Sequence, residues 1–148
     1  MFKRILFLVD STEATSAAAE CAISLAKLCR AELVALSVVD TETLKELLTY
    51  KIMVAEEMKD YEEDLEHSSR RQLALVEEQA KKAGVEIRAV HKKGSIHSVV
   101  LAEQGSLKVD LIVLSGFRPS LVKRDLLARE KQLILDEATC GVIVVKKA

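Results

Sequence analysis

The chain is poor in the residues that break or staple a fold. Its 148 residues include one proline, five glycines and no tryptophan. Little Pro or Gly, beside 49% hydrophobic residues, excludes a disordered chain and points to a packed globule. The three cysteines, Cys21, Cys29 and Cys140, are odd in number, scattered, and form no CxxC pair. That excludes a disulfide framework and fits free thiols in a reducing cytoplasm. The three histidines, His67, His91 and His97, have no ligand spacing, so no metal site is expected. A formal net charge of −1 gives no global pull toward nucleic acid or anionic lipid. No apolar run approaches the roughly 18 residues of a transmembrane helix. The first run ends early, at Asp10, and reads as a strand rather than the core of a signal peptide.

What is present is an alternation of strands and helices over one domain, residues 1–148. Five β-branched runs stand out: Lys3–Asp10, Glu32–Asp40, Val85–Lys93, Val109–Gly116 and Gly141–Lys147. All but the third are almost continuously apolar, as strands buried on both faces of a parallel sheet are. The third alternates Val85, Ile87 and Ala89 with Glu86 and Arg88, which places it at a sheet edge. Between the runs lie segments of helical period. The first has a stripe of Ala18, Cys21, Ala22, Leu25 and Leu28, with Ser11 or Thr12 as its cap. A second starts at Ser95 and carries Ile96, Val99 and Val100. A third follows Pro119, with Leu126, Arg129, Leu133 and Ile134 on its stripe. Such an order implies a parallel sheet with helices on both faces. Ligands on such sheets bind beyond the carboxyl ends of the strands, here Asp10, Val39–Asp40 and Ser115–Gly116.

Residues 41–83 contain no Gly or Pro before Ala83 and are rich in Glu, Lys, Leu and Ala. As a single helix this insertion would reach roughly 65 Å, at ~1.5 Å per residue. A domain of this size has a radius of gyration of only about 15 Å. Either the chain breaks near Thr49–Asp60, or a helical arm projects and needs a protein partner.

No catalytic constellation is present: there is no GxSxG elbow, and no Ser or Cys stands beside a base. Asp10 has two readings, a cap for the next helix or the lining of a pocket at the strand mouth. Lys123 and Arg124 also have two. They are solvated residues balanced by Asp125, Glu130 and Asp136, or they meet an anion at a helix start.

The stretches ILFLVDSTEATSAAAECAISLAKLCRAELVALSVVD, GSIHSVVLAEQGSLKVDLIVLSG and DEATCGVIVVKK, in this order and spacing, resemble the universal stress protein family. The resemblance covers nearly the whole chain. It implies a Rossmann-like α/β fold, an open five-stranded parallel sheet in order 3-2-1-4-5 with helices on both faces. It implies a homodimer through the last strand, Gly141–Lys147, so that charge at Ile143 or Val145 shifts the protein toward monomer. It also implies a cytoplasmic role in stress response or signalling, without catalysis. Members that bind ATP carry, after the fourth strand, two glycines three apart, then nine residues, then Gly-Ser or Gly-Thr. These let backbone approach phosphate and cradle it. Aligned from both flanks, this chain has Ser115 and Arg118 at the early glycines and Ala128–Arg129 at the late pair. Aligned from Gly116, it has Pro119 second and Arg129–Glu130 late. Val9, Asp10 and Val38 match positions beside adenine and ribose. The resemblance therefore implies a cleft for ATP or another adenine nucleotide whose adenine half is kept and whose phosphate half is dismantled.

Overall fold

The computed structural model describes residues 1–12, 14–51, 53–117 and 126–146. Five parallel strands form one sheet: β1 (Arg4–Val9), β2 (Glu32–Asp40), β3 (Ile87–Gly94), β4 (Leu111–Ser115) and β5 (Gly141–Val145). Their order is β3-β2-β1-β4-β5, as the resemblance implies. β1 is central, pairing Ile5 with both Leu33 and Leu111, and Ile5 to Phe7 are fully buried. The Asp110 carboxylate accepts from the backbone N–H groups of Lys3 and Arg4, so β4 enters in register beside β1. β3 takes the edge that its alternation predicts.

The two faces of the sheet carry two cores. On one, Ile5, Phe7, Val9 and Leu33 pack against α1 (Thr15–Cys29) and the later part of α3 (Ala55–Lys82), chiefly Leu73, Val76 and Ala80. On the other, Leu6, Leu8, Leu36 and Ile112 meet α4 (Ile96–Ser106) and α5 (Leu126–Glu137) through Ile96, Val100 and Ile134. A strand with apolar side chains on both faces is what the continuous hydrophobic runs encode.

Two helical stripes differ from the sequence reading. In α1 the buried residues are Ala18, Ala19, Ala22, Ile23 and Ala26, while Leu28 is 81% exposed. Alanines let the helix axis approach the sheet, and the larger leucine is turned out. Neither Ser11 nor Thr12 caps α1: the N-cap is Ala14, with no side-chain bond. In α5 the buried face is Ala128, Lys131 and Ile134, and Arg129 is exposed.

Residues 41–83 form two helices. Asp40 caps α2 (Thr41–Thr49), its carboxylate accepting from Thr43 N–H at 3.0 Å and Thr43 Oγ1 at 2.6 Å. Lys51, with φ of 57°, lies in the turn before α3. α3 is tied to β3 by Lys93, whose ammonium reaches Glu62 at 3.6 Å and Glu66 at 3.3 Å.

Candidate functional site

The chain leaves β1 for β2 on one side, while β4 and β5 lie on the other. The strand order therefore reverses between β1 and β4, where an open α/β sheet offers its crevice. Asp10, just after β1, and Ser115, at the end of β4, stand at that crevice. They are joined there. Ser115 Oγ donates to Asp10 Oδ2 at 2.5 Å. Thr12 donates twice to Asp10 Oδ1, from its N–H at 2.9 Å and its hydroxyl at 2.6 Å. An aspartate that folds the next two residues back onto its own side chain makes an Asx turn, and this spends the Thr12 hydroxyl expected to cap α1.

The group that completes the cluster is Lys131 of α5. Its side chain is 0% exposed and its ammonium lies 2.7 Å from Asp10 Oδ2. It also donates to Ser115 Oγ at 2.7 Å and to the Ser115 carbonyl at 3.0 Å. An ammonium has three protons, and here three acceptors take them. A carboxylate has about four lone-pair sites. Asp10 fills its own with two bonds from Thr12, one from Ser115 and one from Lys131. Burial pushes the Asp10 carboxyl up. The charge of Lys131 and the hydrogen bonds from Lys131, Ser115 and Thr12 together outweigh that and hold it below the ordinary carboxylate value. The Ser115–Lys131 contact is no catalytic dyad. Ser115 is fully buried, beyond reach of a substrate, and the lysine is paired to a carboxylate.

Beside this filled crevice, on the β2 side, a cleft of about 280 Å³ remains open. Leu8, Val9 and Val38 form its floor. Leu44 and Leu47 of α2 and Tyr61 and Leu65 of α3 form its roof, and Ile96, Leu126 and Leu127 close one side. Neutral polar groups edge it: Ser11, Thr43, Ser68 and Gln72, with Ser37 and Ser69 hydrogen-bonded to each other. Its carboxylates are Asp10 and Asp40, and Asp40 already caps α2.

The structure brings Val9, Asp10 and Val38 together at this cleft. Ser115 lies behind Asp10, inside the lysine cluster. Gly116 faces β5: a Cβ there would lie 3.0 Å from the Lys146 Cα and 3.1 Å from the Val145 carbonyl. Its N–H extends the pairing to Val145, so this glycine has a packing role of its own. Ala128 is buried in α5, and Arg129, one residue on, faces solvent. Arg118, Pro119, Lys123 and Arg124 lie outside the described residues. His97 lies at the start of α4, its Nδ1 paired with Glu130 Oε2 and with Ser95 Oγ. Its other ring nitrogen, Nε2, lies 3.4 Å from Ser98 Oγ. Among the described residues there is no metal-binding group, and no helix is long and apolar enough to cross a membrane. All three cysteines are free.

Comparison with known proteins adds the decisive observation. The sequence model of the universal stress protein family matches residues 1–146. The chain belongs to the universal stress protein family. No curated protein sequence matches it. Solved structures resemble it over nearly its full length. A universal stress family protein from Burkholderia pseudomallei is 19% identical with a TM-score of 0.74, covering 97% of this chain and 96% of that one. A universal stress protein in complex with cAMP is 16% identical with a TM-score of 0.70, covering 99% and 98%. An Arabidopsis thaliana family protein with AMP bound is 14% identical with a TM-score of 0.66, covering 99% and 92%. At these identities the likeness is one of fold.

Proposed function

We propose that this universal stress family chain is a non-catalytic regulatory module of the cytoplasm that works as a homodimer and no longer binds ATP in the ordinary way. One observation supports the reading above the others. The crevice where strand order reverses is filled by the chain's own cation, Lys131, hydrogen-bonded to Asp10 and Ser115. The three protons of Lys131 are all taken inside the chain, so this cation has none left for phosphate. Open edges on β3 and β5 suit a second copy. Exposed Leu48, Tyr50 and Val54, around the α2–α3 turn, suit a protein partner.

The test is to denature protein purified from cells, identify released small molecules, and titrate ATP, ADP, AMP and cAMP with Mg²⁺ in a thermal-shift assay. A ligand present at 100 times its Kd adds about 2.7 kcal/mol. A clear stabilisation by ATP rejects this reading. A second reading, a nucleotide-binding switch, is favoured by Val9, Asp10 and Val38 meeting at one cleft and by the relatives holding cAMP and AMP. Flat responses to every nucleotide reject it.

A further inference from the structure

We infer that Ser98 is an activated serine that takes an acyl group from an activated ester, with His97 as its base and Glu130 as the group that positions the base. The inference goes beyond the regulatory reading and needs no ligand in the cleft.

The side chains come from two helices that meet over one core. On α4, His97 lies one turn before Val100. On α5, Glu130 lies one turn before Ile134. Val100 and Ile134 are fully buried in the same core. The packing that joins the helices therefore also brings His97 and Glu130 together. The Glu130 carboxylate is then held from several sides. Ser95 Oγ donates to its Oε1 at 3.4 Å, the His97 backbone N–H donates to its Oε2 at 3.3 Å, and His97 Nδ1 meets the same Oε2. The Glu130 and His97 side chains are 14% and 28% exposed, whereas Ser98 is open to solvent.

This arrangement selects a tautomer. A carboxylate only accepts, so in the neutral ring Nδ1 carries the proton and Nε2 keeps its lone pair. That nitrogen stands 3.4 Å from Ser98 Oγ. A nucleophile and its base are often this loosely paired before a substrate arrives. Ser98, His97 and Glu130 thus follow the order of a serine nucleophile, its base and an orienting carboxylate. Ser98 also lies in the first turn of α4, where backbone N–H groups have no partner within the helix. Those groups and the positive end of the helix favour the negative charge that gathers on a carbonyl oxygen under attack.

The step balances as a simple acyl transfer. Ser98 Oγ attacks the ester carbonyl carbon, and its proton passes to His97 Nε2. The bond from Oγ to that carbon forms, the bond from carbon to the leaving oxygen breaks, and His97 gives the proton to the leaving group. The product is an acyl-serine on the surface of α4, a covalent mark on a regulatory chain.

The experiment treats the full chain with p-nitrophenyl acetate, follows p-nitrophenolate release, and locates acetyl groups by peptide mass spectrometry. Ser98 is expected to acetylate roughly tenfold faster or more than in His97→Ala, and free imidazole to restore Ser98 acetylation in that variant. Nitrogen NMR of the His97 ring is expected to place the proton on Nδ1. Glu130→Gln is expected to remove that preference and to slow the acetylation. Ser98 reacting no faster than the chain's other serines overturns the inference. So does an equal rate in His97→Ala, or a ring proton fixed on Nε2. A single acetylation supports the inference and leaves the non-catalytic reading standing. Continued turnover that is lost in Ser98→Ala supports the inference and overturns only that reading.

Discussion

At the scale of single residues, Lys131 and Asp10 decide what this site is. A buried charge pair is weak evidence of net stability, but removing one partner leaves the other charge stranded. Lys131→Met and Asp10→Asn are each expected to cost about 3–5 kcal/mol in urea denaturation. The double variant is expected to cost clearly less than the sum, because neither charge is then left alone. Additive losses would show that the two groups do not interact. The pH dependence has a definite sign. Asp10 is held below its ordinary value of 3.8 in the folded chain, so below pH 3.8 the unfolded chain binds the extra proton first. The stability it contributes is present above that value and is lost as pH falls through the folded value. Asp10→Asn should flatten this part of the acid-stability curve, whereas an unchanged curve would place the acid sensitivity in other carboxylates. Gly116 makes a separate claim. A methyl group there meets the Lys146 Cα and the Val145 carbonyl, so Gly116→Ala is expected to cost about 1–3 kcal/mol. No loss in thermal denaturation would mean that β5 gives way freely at this point.

At the scale of elements, the helix ends carry a correctable strain. Arg30 closes α1 at φ of 55°, where its N–H returns to Ala26 and Lys27 carbonyls. This left-handed position favours glycine. Arg30→Gly is expected to gain about 0.5–1 kcal/mol in urea denaturation, since the relief of left-handed strain exceeds glycine's added chain entropy. A loss instead would show that the arginine side chain makes a compensating contact. The elements show where sequence reading works. Runs such as Ile5–Val9 and Leu111–Ser115 are buried on both sides, so their hydrophobicity states their place directly. The edge position of β3 was legible in its alternating residues. The burial of Lys131 was not, because a stripe search passes over a lysine as solvated. The signal was its spacing: Ala128, Lys131 and Ile134 fall three apart on one face. The roof residues Tyr61 and Leu65 and the edge residue Gln72 were hidden for another reason. Their role depends on how α3 crosses the strand tips, and that is a tertiary fact.

At the scale of the whole molecule, the open question is how two copies would meet. β5 is an edge strand, paired only with β4 in this chain, and its residues from Val142 to Val145 are half-buried. Ile143 and Val145 pack toward the α1 core, and Val142 and Val144 toward the α5 core. A charge at Ile143 or Val145 therefore disturbs the monomer as well as any dimer, and the two effects must be separated at the backbone. The Val145 carbonyl accepts from Gly116 and so faces β4. Along a strand, successive backbone groups point to opposite sides, so the Val144 N–H faces the open edge. Proline removes that donor without touching the β4 ladder, and edge strands tolerate it. If copies pair through β5, Val144→Pro is expected to shift sedimentation from dimer to monomer at micromolar concentration, with circular dichroism unchanged. A dimer that persists in a well-folded Val144→Pro variant rules out pairing through β5 and directs attention to β3, the other open edge.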